Sequence, residues 1–218
     1  MRIIKLLLAS LSFGLLAAGS TAFAADSKGY IVLPDAQPTE SGKKVEVTEF
    51  FGYACPHCHA FDPVLEAWVK KQGDNIVFKR VPVGFRPEWV VHQKLFYTME
   101  ALGKTEEFHK KIFTAIHVEH QQLNSDDAIT AFAVKNGVDK QKFTDALNSF
   151  SVNTKVKRAA QVMANYKVDQ VPMIAIDGRY LTSPAKAAEA LGENRPEAEL
   201  QTAAVKLMDD LVAKSRKK

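Results

Sequence analysis

The chain's only two cysteines lie in Cys55-Pro56-His57-Cys58. Thiols at that spacing can close a disulfide across one turn at the start of a helix, a position that tunes thiol acidity. Such a pair closes a very short loop and adds little stability through chain entropy, so its purpose is chemical rather than structural. Cys55 is the candidate nucleophile. Standing just before a helix, it meets unpaired backbone N–H groups and the positive end of the helix dipole, and both favour an anionic sulfur. His57 adds a donor or a positive charge. Pro56 suits the first helical turn, where its missing N–H costs nothing. Stabilising the thiolate stabilises the dithiol over the disulfide, which makes the disulfide an oxidant and Cys55 a good leaving group.

A carboxylate stands nearby in the pattern. On a strand over Val45–Phe51, residues Val45, Val47, Glu49 and Phe51 share one face. An acid on that apolar face is anomalous. Burial raises its pKa and suits it to exchange protons with the Cys58 thiol, and Lys79 on the next strand is the expected charge partner. A metal site fits these residues less well. Cys55, His57, Cys58 and His59 offer sulfur and nitrogen ligands but all fall in one short stretch, whereas tetrahedral sites usually draw ligands from two segments. His117 and His120 lie elsewhere, and nothing in the sequence brings them to the cysteines. His59 reads as a solvated surface residue. No metal and no cofactor is expected.

The elements that must position these residues follow from period and punctuation. Residues 25–44 read as an irregular lead-in, and 45–51 as a strand. A helix is expected from about 55 to 72, kinked or broken near Phe61–Asp62 by Pro63. A turn at Gly73-Asp74-Asn75 precedes a second strand over 76–83. Helical spacing then fills 89–102, 106–117, 126–135, 140–150 and 153–166, with N-caps near Ser125 and Asp139 and stops at Gly103 and Gly137. Strand signals return at 173–176 and 179–181 around a two-residue Asp177-Gly178 turn. An amphipathic helix over 196–214 closes the chain. The order is β-α-β, a helical block, then β-β-α. The cysteines sit at the C-terminal end of a strand, where ligands and chemistry gather in α/β sheets.

Composition bounds the rest. Residues 1–24 read as a secretory signal peptide: Arg2 and Lys5, an apolar stretch over 6–18, and an Ala22-Phe23-Ala24 cleavage site. The apolar run is too short to span a bilayer. Cleavage leaves about 194 residues, enough for one large domain or a small one with an insertion. The formal charge of +4 includes two from Arg2 and Lys5, so the mature chain is near neutral and no nucleic-acid role is expected. An oxidising compartment is implied, and the absence of an ER-retention signal and of Asn-x-Ser/Thr acceptors leans towards a bacterial periplasm.

With these features in place, the chain resembles the DsbA-type disulfide oxidoreductases of bacterial envelopes. The resemblance rests on Glu49-Phe50-Phe51-Gly52-Tyr53-Ala54-Cys55-Pro56-His57-Cys58-His59, similar to the family's active-site strand and loop, and on Val171-Pro172, similar to its cis-proline loop. It covers essentially the whole mature chain. It implies a thioredoxin fold in two parts, 25–86 and 167–218, interrupted by a helical insertion over 87–166. It implies a low-pKa Cys55 and a strongly oxidising disulfide. It also implies donation of the Cys55–Cys58 disulfide to exported proteins with free thiols, reoxidation by a DsbB-like inner-membrane protein, and an acid, Glu49, beneath the active site. Val171 and Pro172 are the expected substrate-binding residues, a cis-proline presenting the Val171 backbone to an extended peptide; Val81-Pro82 is the competing candidate. Phe61, Phe85, Trp89 and Met173 are candidates for an apolar polypeptide-holding surface, with core packing as the commoner explanation. The alternatives are a reductase or isomerase, a metal-binding module, and a non-redox chaperone. Some 20 residues between the cleavage site and the first strand are too few for an isomerase's dimerisation domain, so a monomeric oxidant is expected.

Overall fold

The computed structural model describes residues 29–191 and 195–216; the expected signal peptide lies outside them. A five-stranded mixed sheet has the order β1-β5-β4-β2-β3. Strand β2 (Val45–Phe51) runs through its interior, parallel to β3 (Ile76–Pro82) and antiparallel to β4 (Met173–Ile176). Every residue of β2 is buried. That suits a run of β-branched and aromatic residues covered on both faces.

Two short elements were not anticipated. Strand β1 (Tyr30–Val32), within the stretch read as irregular, pairs antiparallel with β5 (Tyr180–Thr182). At three residues it has too few positions for an alternation to register. The hairpin from β4 to β5 uses the expected Asp177-Gly178 turn, both residues at positive φ. Ile176 pairs with Tyr180, however, so Arg179 also lies in the loop and β5 starts one residue later than expected.

Helix α1 (Pro56–Gln72) follows β2 and runs through Pro63 without the expected break. Its apolar positions Phe61, Leu65 and Trp68 pack with Val45, Val47, Ile174 and Ile176 of the sheet. Burial of that face outweighs the one backbone bond Pro63 forfeits. Helices α2 (Pro87–Ala101), α3 (Thr105–His117), α4 (Asp126–Lys135), α5 (Lys140–Leu147) and α6 (Phe150–Tyr166) lie between β3 and β4. Ser125, Asp139 and Ser149 cap α4, α5 and α6 by accepting amide bonds three residues on. The Ser149 cap starts α6 earlier than expected and leaves Phe150 outside α5, almost fully exposed. Helix α7 (Pro184–Leu191), also unanticipated, precedes α8 (Glu197–Ser215). Helix α8 lies along α1, where Asp209 accepts from Trp68 Nε1 at 2.8 Å and Gln72 Nε2 at 2.6 Å. Among the described residues no helix is long and apolar enough to cross a membrane.

Among the described residues the core forms three clusters. One lies between the sheet and α1 with α8, and another on the opposite face around Phe50, Tyr166, Met173 and Leu181. The third is the interior of the helical block, and it includes Phe51, Tyr53, Cys55 and Cys58. The cysteines thus lie where the end of the sheet meets the block. Phe61 and Met173, raised as surface candidates, are core residues, while Phe85 is exposed and its ring lies 5.7 Å from Trp89.

Leu65 is fully buried between α1 and the sheet. Truncation of such a leucine leaves a cavity, so Leu65→Ala is expected to cost about 2–5 kcal/mol in urea unfolding. Val118→Ala, at an exposed position, is expected to stay within about 0.5 kcal/mol.

Candidate active site

Strand β2 ends at Phe51, whose carbonyl accepts from Val83 N at 2.8 Å. The chain then turns through Gly52, where a side chain would collide with the Trp89 ring. Cys55 N donates to Gly52 O at 3.0 Å, and Cys55 O accepts the first helical bond from His59 N at 3.1 Å. Cys55 is therefore the N-cap of α1, in extended conformation, with Pro56 at the first helical position. Its sulfur takes the role an N-cap oxygen usually plays, accepting from Cys58 N at 3.4 Å. The Cys55 thiol also lies 3.5 Å from the carbonyl of Val171. The Val171–Pro172 bond is cis; Val81–Pro82 is not.

Both cysteines are free thiols in this structure, and they are unequal. Cys55 retains 7% of its surface and Cys58 none, so the reagent-facing sulfur is Cys55 even though it is largely covered. The Cys58 thiol, the amides of Cys58 and His57, and the His57 charge all favour a Cys55 thiolate and outweigh burial, bringing its pKa down to about 6. Cys58 goes the other way: burial, donation to Cys55 and the Cys55 charge push its thiol far up. His57 points outward, its Nδ1 2.9 Å from Glu197 Oε1 at the start of α8. That bond raises the His57 pKa and favours the imidazolium.

Glu49 is 1% exposed, and burial pushes it up to about 7. Its partner is Arg80 (Nε to Oε2, 3.0 Å), not Lys79. In the parallel β2–β3 pairing Glu49 stands opposite Arg80 and Thr48 opposite Lys79. Successive side chains alternate faces, which sends Lys79 to Glu46 and Glu40 on the other side. Arg80 also reaches Asp62 at 3.3 Å and the half-exposed Glu66 at 3.6 Å. The Glu49 charge acts on the Cys58 thiol and helps hold it protonated.

Histidines gather here in a way the sequence did not suggest. His59 is half-buried, its ring stacked on His117 at 4.7 Å, and His117 Nε2 lies 2.7 Å from Tyr53 O. Helix α3 thus brings His117 to the active-site loop, and also His109, whose Nδ1 lies 2.9 Å from Tyr53 Oη and whose Nε2 lies 3.0 Å from Asp62 Oδ1. The one available signal was the spacing of His109, Phe113 and His117, which places them on a single face of α3. Among the described residues no group of three or more His, Cys, Asp or Glu side chains is arranged to hold a metal ion.

Comparison with known proteins agrees with this arrangement. The DSBA-like thioredoxin domain family matches residues 46–198. The thiol:disulfide interchange protein DsbA of Burkholderia cepacia is 48% identical over 179 residues, covering 80% of this chain and 84% of that protein. DsbA of Bordetella parapertussis is 38% identical over 188 residues, covering 86% and 85%. The crystal structure of Pseudomonas aeruginosa DsbA superposes with a TM-score of 0.78 at 33% identity, covering 86% of this chain and 92% of that one.

The unequal thiols have two measurable consequences. The Cys55 pKa is lower folded than the ~8.5 of a free thiol, so ionisation stabilises the reduced protein fully above that value. The gain is lost as pH falls through about 6. Glu49, raised instead, costs stability as pH rises through about 7, and measurement in a Glu49→Gln background removes that contribution. The stability of the reduced form relative to the oxidised form should therefore increase from about pH 5 to about pH 8 in urea unfolding. A flat difference contradicts the low Cys55 pKa. The causes also have an order: because the Cys58 thiol is the larger influence, Cys58→Ala should raise the Cys55 midpoint more than His57→Ala, read from thiolate absorbance.

Proposed function

This chain belongs to the DsbA-like thioredoxin family, and we propose that Cys55 is its attacking and leaving sulfur, Cys58 its resolving sulfur and Glu49 the group that exchanges a proton with Cys58. The activity is thiol:disulfide oxidoreduction. One observation carries the assignment of roles: Cys58 is fully buried, whereas Cys55 keeps part of its surface and accepts from the Cys58 amide at the start of α1, which sends their acidities in opposite directions. A disulfide joining such a pair is polarised in its chemistry, because the accessible, acidic sulfur both receives the incoming thiolate and leaves most readily.

The cycle runs as follows. A substrate thiolate attacks Cys55 Sγ of the Cys55–Cys58 disulfide. The S–S bond breaks and its electron pair goes to Cys58, which takes a proton from the Glu49 carboxyl. A second substrate thiolate then attacks the substrate's sulfur in the mixed disulfide and expels Cys55 as a thiolate. The substrate has lost two electrons and carries a new disulfide, and the protein holds a Cys55 thiolate and a Cys58 thiol. Pro56 and the His57 and Cys58 amides fix the first turn that receives the thiolate, and the outward-pointing His57 imidazolium adds its positive charge nearby. The Val171 carbonyl, 3.5 Å from Cys55 Sγ, is a hydrogen-bond acceptor for the backbone of an extended substrate strand lying along residues 171–172.

The setting belongs to the same reading. Residues 25–86 and 167–218 form one thioredoxin-like domain and 87–166 its insertion. The signal peptide directs the chain to the periplasm, where exported proteins with free thiols are the substrates. A DsbB-like membrane protein restores the disulfide, and the oxidant works as a monomer. A reductase or isomerase is not favoured, since a lowered Cys55 pKa stabilises the dithiol and so drives oxidation of the partner.

Trapping tests the assignment. With a reduced single-thiol peptide as substrate, and each variant's remaining cysteine first loaded as its glutathione mixed disulfide, Cys55→Ser should form no peptide adduct, whereas Cys58→Ala should release glutathione and hold the peptide in a long-lived mixed disulfide at Cys55. Peptide mapping locates the adduct. Adducts formed at Cys58 in the Cys55→Ser variant at the parent rate would reverse the roles.

A further inference from the structure

The helical block reaches the buried Asp62 of α1 through a histidine of α3. His109 of α3 is 2% exposed and lies between two partners, Tyr53 Oη at 2.9 Å and Asp62 Oδ1 at 3.0 Å. Burial lowers its pKa, so the ring is neutral and carries one proton. Asp62 as a carboxylate can only accept, which puts that proton on Nε2. Nδ1 is then the acceptor, and the Tyr53 hydroxyl donates to it. The tautomer is set by the partners, and the order is Tyr53 to His109 to Asp62.

Asp62 in turn shares Arg80 with Glu49: Arg80 Nη2 is 3.3 Å from Asp62 Oδ1, and Arg80 Nε is 3.0 Å from Glu49 Oε2. Two carboxylates thus compete for one guanidinium, and the His109 N–H is the second donor to Asp62. We propose that His109 is a positioning residue for the redox centre, supplying Asp62 with a donor so that the Arg80 guanidinium stays on Glu49. The proposal rests on Glu49 being the proton-exchange partner of Cys58. Without the His109 N–H, Asp62 depends wholly on Arg80 and draws it away from Glu49, which then becomes harder to ionise. The charged and titratable groups around this chain are Tyr53 and Glu49 from β2 and its loop, Asp62 and Glu66 from α1, Arg80 from β3, and His92 of α2 against the Tyr53 ring.

The step that reads this is the displacement in which the Cys58 thiol passes its proton to Glu49. The resulting thiolate attacks Cys55 of a Cys55–glutathione mixed disulfide and expels glutathione thiolate. Its rate in the full-length protein is followed against pH by rapid acid quench. A lost hydrogen bond to a charged group is worth about one pH unit, so His109→Leu should raise the midpoint by about that much. Below the midpoint the step should slow about tenfold. Asparagine at this position keeps only an acceptor at the Nδ1 place, and glutamine keeps only a donor at the Nε2 place. His109→Gln is therefore expected to follow the parent profile and His109→Asn to follow His109→Leu. These two variants decide the matter if His109→Leu fails to fold. Glu49→Gln is the control. If it moves the profile while His109→Leu and His109→Asn follow the parent, or if asparagine rescues and glutamine does not, the proposal is overturned. If Glu49→Gln also leaves the profile unchanged, the proton-exchange role of Glu49 falls, and the proposal with it.

Discussion

The contact on which the site depends is the Cys58 amide donating to the Cys55 sulfur across the first turn of α1. It makes a sulfur the N-cap of a helix and gives a negative charge there a backbone donor and a dipole. Both depend on the chain leaving β2 at Phe51 and entering α1 at Pro56 through a tight corner. The rest of the architecture holds that corner. Val83, just past β3, secures the end of β2, Trp89 of α2 packs on Gly52, and His117 of α3 contacts the carbonyl of Tyr53.

The helical block is therefore a wall of the active site as well as a cover. Its interior is continuous with Phe51, Tyr53 and both cysteines, so Cys58 is buried by the block as well as by the sheet. That burial separates the two thiols in acidity. A group with no solvent contact pays the full cost of losing its proton, whereas one at a helix start is compensated. Beneath them Glu49 and Arg80 form a buried pair. Such pairs add little net stability, and losing one partner is costly, which fits a role in proton handling better than one in holding the fold.

Much of this was legible in the sequence. The strand at 45–51, the second strand and all five helices of the block follow from period and caps, because their apolar faces are long enough to display a repeat. The anomaly of Glu49 was visible because an acid interrupts an alternating apolar face. Its partner was not: choosing Arg80 over Lys79 needs the strand register, and a shift of one residue exchanges the two faces. β1 was missed because three residues carry too little pattern, and α7 because alanines rather than large apolar side chains dominate its sequence. The histidines of α3 were missed for a different reason. Their importance comes from a long-range contact between the block and the active-site loop, which no local pattern encodes.

The measurement that bears most directly on the low-pKa sulfur is the equilibrium between the Cys55–Cys58 disulfide and its dithiol. Titration of the purified mature protein in glutathione buffers, with alkylation to count thiols, reads it. A thiolate held by the Cys58 amide and thiol stabilises the dithiol, so the protein should be largely reduced even in strongly oxidising mixtures. A disulfide that persists until the mixture is strongly reducing would contradict the account.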